Sequence, residues 1–98
     1  MKYKVVTLCG SLRFGREIWD QISRKLVDSG YIVLKPDFCF TKDEEKMFKK
    51  KLKLMHRQKI DMSDEIFIIN KNGYIGESTK AEIEYAKLNE KKVSYLES

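Results

Sequence analysis

An α/β architecture, with a small parallel sheet of about four strands between helices, follows from three features of the chain. Four short runs rich in β-branched and aromatic residues alternate with three segments whose apolar residues recur at helical spacing. Those helical segments are long enough to act as crossovers, so the strands run parallel and helices cover both faces of the sheet. Two glycine-containing loops, Gly10 to Gly15 and Asn70 to Ser78, each follow a strand and precede a helix. In such sheets ligands collect at that rim. All 98 residues are read as one domain, enough chain for one core and too little for two.

The first strand is Tyr3 to Cys9 (YKVVTLC), ended by Gly10. After the first loop, Ile18, Trp19, Ile22 and Leu26 mark a helix over Arg16 to Asp28 that stops at Ser29-Gly30. Tyr31 to Leu34 (YIVL) is the second strand, closed by Lys35-Pro36 because proline has no N–H to offer a ladder. Asp43 to Met62 is a long amphipathic helix. Its apolar positions are Phe48, Leu52, Met55 and Met62, and Lys46, Lys49, Lys50, Lys51 and Lys53 form a basic outer face. Asp61 and Asp64 read as turn residues before the third strand, Glu65 to Ile69 (EIFII). Thr79 to Glu90 is the third helix and Val93 to Leu96 the last strand, completing a βαβαβαβ order.

Hydrophobic residues at 42% and charged residues at 36% describe a folded globular chain rather than a disordered one. No apolar run reaches the roughly 18 residues of a membrane span, and MKYKVVTLCG lacks the apolar core of a secretory signal. A cytoplasmic protein with no membrane partner is expected. Cys9 and Cys39 are too few and too far apart for a Cys-x-x-Cys zinc site. Both are expected to be reduced and partly buried, with no metal and no other cofactor. The net charge of +5 suits an anionic partner such as a nucleotide or a nucleic acid. No helix-turn-helix, zinc-finger or aromatic RNA-binding signature accompanies the run Lys49 to Lys53. It reads as a solvated helix face, which argues against nucleic acid as partner.

Two constellations carry chemistry. In GSLRFGRE, a strand-to-helix turn offers backbone N–H groups at a helix start, a hydroxyl from Ser11 and charge from Arg13 or Arg16. It reads either as a phosphate cradle or as an ordinary turn, since neither a Walker loop nor a dinucleotide fingerprint is complete. In GYIGESTKAEIEYA, Thr79, Glu82, Ile83 and Ala86 share one helical face. Glu82 is therefore a candidate nucleophile or base, or else the last member of a Thr-x-x-Glu capping box over Thr79 to Glu82. Glu84 is expected to face solvent. His56, the only histidine, lies near the end of the lysine-rich helix, either as a surface or partly buried residue or as a catalyst. Tyr74, in a loop, is a candidate for stacking on a base.

Taken together, Cys9-Gly10-Ser11-Leu12-Arg13, Gly15-Arg16-Glu17, Gly73-Tyr74-Ile75-Gly76 and Glu82-Ile83-Glu84-Tyr85-Ala86 resemble the nucleoside 2-deoxyribosyltransferase superfamily. The front motif is most similar to its deoxynucleoside 5′-monophosphate N-glycosidase branch. The resemblance implies a Rossmann-like, flavodoxin-type three-layer sandwich and an enzyme that cleaves the bond between a nucleobase and a (deoxy)ribose. It implies that Glu82 attacks the anomeric carbon and that water or a second base then takes the glycosyl group. Ser11, Arg13 and Gly15 match positions that hold the 5′-phosphate, and Gly10, Arg16, Gly76, Ser78 and Thr79 complete the expected substrate-binding set. Two positions depart from the family pattern: His56 stands where members commonly carry an aspartate, and Thr7 where a tyrosine is frequent. A histidine moves protons near neutral pH, so His56 is kept as the second catalytic candidate. A homodimer is expected if an apolar stripe is exposed on a helix. The alternative is a nucleotide-binding module without catalysis.

Overall fold

The computed structural model describes residues 2–97. Its sheet is α/β in the expected sense, with four strands in the order β2-β1-β3-β4 and every neighbouring pair parallel. The two central strands are β1 (Lys4–Gly10) and β3 (Glu65–Ile69), and the edges are the four-residue β2 (Tyr31–Leu34) and β4 (Lys92–Tyr95). The centre falls to β1 and β3 because both of their faces are apolar: Val6, Leu8, Cys9, Ile66, Ile68 and Ile69 are all buried.

Side-chain alternation along these strands divides the core in two. Leu8 and Ile69 turn toward α1 (Arg16–Asp28), where they pack with Trp19 and Ile22. Cys9, Ile66 and Ile68 turn to the opposite face, meeting Ile60 of α2 (Lys42–Asp61) and Ile83 and Ala86 of α3 (Glu77–Leu88). The result is a Rossmann-like arrangement of three layers, one helix on one face and two on the other. Each fully buried large side chain contributes about 1.5–3 kcal/mol by leaving water. Among the described residues, no helix is long and apolar enough to cross a membrane.

Several boundaries differ from the sequence expectation for local reasons. β1 extends to Gly10, which pairs with Ile69 of β3. A Cβ at Gly10 would lie 2.9 Å from the Ile69 carbonyl oxygen, so only glycine lets the two strand ends close up. α2 begins at Lys42 behind a capping box: Thr41 Oγ1 accepts the Glu44 N–H, and Glu44 Oε1 accepts the Thr41 N–H. α3 begins at Glu77, two residues ahead of the expected start, because Gly76 takes the extended cap conformation. Thr79 is therefore inside the helix, and Thr79 to Glu82 is not a capping box.

The inward face of α2 also differs. Met55 and Met62 are 47% and 62% exposed, while His56 and Ile60 are buried. The stripe runs through Leu52, His56 and Ile60 at i, i+4 and i+8, one position past Met55 and two short of Met62. Cys39 is exposed rather than partly buried, whereas Cys9 is fully buried. Thr7, also fully buried, donates its hydroxyl to the Lys59 carbonyl at 3.0 Å and lies 2.5 Å from Ser63 Oγ. This clasp ties the last turn of α2 to β1.

Candidate active site

The connections leaving β1 and β3 diverge, one returning through α1 to β2 and the other continuing through α3 to β4. Divergence opens a crevice beyond the carboxyl ends of the two strands. A cleft of about 310 Å³ occupies that region. Its floor is the turn at Gly10 and Leu12, one wall is α2 through Glu45, Lys49, Leu52, Lys53, His56 and Lys59, and the other is α3 through Ser78 and Glu82. Pro36 and Asp37, after β2, close one end.

Three side chains from three elements meet in this region. His56 Nε2 lies 3.5 Å from Glu82 Oε2 and 3.4 Å from Cys9 Sγ. The donor atoms of Cys9, His56 and Glu82 all lie within 4.8 Å of one another. Cys9 is there because, as the next-to-last residue of β1, it faces α2 and α3, and His56 because the α2 stripe carries it inward. Glu82 follows from the early start of α3, which frees its carboxylate from any capping role.

Burial governs the protonation of the group. It pushes the Glu82 carboxyl up to about 7, and the Cys9 contact, Arg57 and Lys53 pull it only partly back. Burial pushes His56 down to about 4, helped by the positive charge of Lys59 and opposed by Asp37. The Cys9 thiol is raised well above its usual range by burial and by the Glu82 charge. At neutral pH the imidazole is therefore neutral and Glu82 is close to half ionised. His56 Nδ1 is buried with no hydrogen-bond partner among the described residues.

Of the residues singled out in the sequence, the structure brings Gly10, His56, Ser78 and Glu82 to the cleft. The others have different surroundings. Ser11 Oγ accepts the Arg13 N–H and so caps the short turn Leu12–Phe14. The Arg13 guanidinium stacks 4.3 Å over the Tyr74 ring, which also meets Phe14 edge-on. Arg16 donates to the Phe38 carbonyl at 2.5 Å. Gly15, at φ +80°, joins the turn to α1 in a conformation that suits glycine. Gly76 caps α3 and Thr79 is buried within it.

Sequence reasoning missed Cys9, because a cysteine in an apolar strand looks like any small hydrophobe. It also missed Lys49, Lys53 and Lys59 as cleft residues. The signal that could have found them was the i, i+4 relation linking Lys49 to Lys53 and Leu52 to His56, once Met55 and Met62 were not forced inward. Asp37 is held by Lys59 at 3.2 Å, and the same amine donates to the Lys35 carbonyl, so Lys59 fastens the cleft's end. No family model, curated protein or solved structure matches the chain.

Proposed function

We propose that the protein cleaves the N-glycosidic bond of a (deoxy)nucleoside or its 5′-monophosphate, as the resemblance of its motifs to the nucleoside 2-deoxyribosyltransferase superfamily implies. The observation that carries the reading is the position of Glu82, in a cleft beside His56 rather than bonded to its own helix start. In the first step a Glu82 oxygen bonds to the anomeric carbon as the bond to the base breaks, and the departing base takes up a proton from water in the cleft. The attacking form is the carboxylate, whose proton has left to solvent, and His56 stands neutral 3.5 Å away. Water or a second base then displaces the glutamate. On this reading the phosphate lies against the turn at Gly10 and Leu12 with Lys49 and Lys53 across the cleft, while Arg13 and Arg16, from the same turn, are held by Tyr74 and by the Phe38 carbonyl. A cytoplasmic location belongs to the same reading. So does a dimer, for which Met47, Leu54 and Met55, exposed along α2, supply an apolar stripe.

Purified protein incubated with deoxynucleoside monophosphates should release free base, seen by chromatography, and Glu82→Ala should lose at least about 100-fold of that rate. Normal turnover by Glu82→Ala would end the assignment. A second reading, a nucleotide-binding module without catalysis, is favoured by the raised Glu82 carboxyl, since a protonated acid is no nucleophile. Its outcome is tight nucleotide binding with no base released.

A further inference from the structure

The geometry points to a transition-metal site formed by Cys9 Sγ, His56 Nε2 and Glu82 Oε2, selective for Zn²⁺ and open to the cleft at its fourth position. A tetrahedral zinc ion with sulfur at about 2.3 Å and nitrogen or oxygen at about 2.0–2.1 Å requires about 3.5–3.6 Å between sulfur and nitrogen and about 3.3–3.4 Å between nitrogen and oxygen. Cys9 Sγ to His56 Nε2 is 3.4 Å and His56 Nε2 to Glu82 Oε2 is 3.5 Å, each within about 0.2 Å of its tetrahedral edge. The third, between thiol and carboxylate, lies within 4.8 Å and closes by rotation of the Glu82 carboxylate.

The hydrogen bonding of the trio is incomplete in a way that an ion resolves. A neutral His56 Nε2 carries either one lone pair or one proton, yet both Cys9 and Glu82 approach it, so it serves a single hydrogen bond where two groups converge. A divalent cation engages a lone pair from each of the three at once. The charges also close: one thiolate and one carboxylate neutralise the ion, which removes most of the cost of placing it beside the buried Cys9 and His56. Thiolate with imidazole and carboxylate favours Zn²⁺ or Co²⁺ over Mg²⁺ and Ca²⁺. Binding displaces the thiol proton and any proton on Glu82 to solvent. The three ligands come from β1, α2 and α3, and the Thr7 to Lys59 clasp fixes two of those elements to each other. Occupancy would also engage the Glu82 lone pair and suppress base release. That last consequence rests on the nucleophile reading; the binding does not.

The test is a Co²⁺ titration of chelator-treated full-length protein without substrate. Wild type should take up one Co²⁺ per chain, with a thiolate-to-cobalt charge-transfer band and the intense visible bands of tetrahedral coordination, and Zn²⁺ should bleach both. Cys39→Ser should retain the spectrum and Cys9→Ser should lose the charge-transfer band. His56→Gln and Glu82→Gln should each weaken binding by more than the roughly 10–100-fold that loss of a group supporting a ligand costs. A charge-transfer band that survives Cys9→Ser, or wild-type affinity in both His56→Gln and Glu82→Gln, overturns the site. If circular dichroism shows Cys9→Ser unfolded, the two polar variants decide. Base release measured in chelator-treated protein is a separate readout, so failure of the metal site and failure of the glycosidase reading are told apart.

Discussion

Glu82 is held in a place that favours its protonated form. Its folded value of about 7 lies above the usual 4.5, so the folded chain keeps a proton that the unfolded chain releases. Stability is untouched below pH 4.5 and falls as pH rises toward 7, reaching a cost of about 3 kcal/mol once the group is ionised. His56 has the opposite sign: its value, lowered from 6.5 to about 4, costs stability as pH falls below 6.5. The two slopes oppose each other between pH 4.5 and 6.5. Glu82→Gln in chelator-treated protein should therefore raise the denaturation midpoint above pH 7 and leave it unchanged below pH 4.5. An equal midpoint at pH 8 would show that the carboxyl is not strained. Residue-level chemistry was partly legible beforehand. Helical spacing put Glu82 beside Ile83, but the choice between cap and cleft depended on Gly76 opening the helix, which residue types alone do not decide.

α2 supplies half of the residues lining the cleft, so its ends matter more than its middle. Its N-terminus depends on the reciprocal Thr41 and Glu44 bonds, and its C-terminus on the clasp from Thr7. Thr41→Ala should cost about 1 kcal/mol, read as a lower urea midpoint with an unchanged slope. A midpoint within error of wild type would mean the box carries no net stability. The helix itself was plain in the sequence, yet its facing was not. Met55 and Met62, spaced to continue Phe48 and Leu52, mimic a buried seam, and only packing against Cys9 and Ile66 reveals that His56 and Ile60 occupy it. Methionine tolerates exposure on a lysine-rich surface, which is what blurred the pattern.

The parallel sheet was legible at the level of the molecule, because three crossover-length helices between four apolar runs leave little else to build. Strand order was not, since nothing in YIVL or VSYL tells which central strand it will join. The order obtained puts the end of β1 beneath the cleft, and Cys9 with it, while Cys39 stays on the surface. One molecule thus carries a fast thiol and a slow one. A thiol-reactive dye should label Cys39 on mixing and reach Cys9 only in chains whose strand end has momentarily parted, so the lag of the second label is a clock for those openings. If the cleft takes nucleotide as proposed, saturating nucleotide should stretch that lag and leave the first label's rate alone.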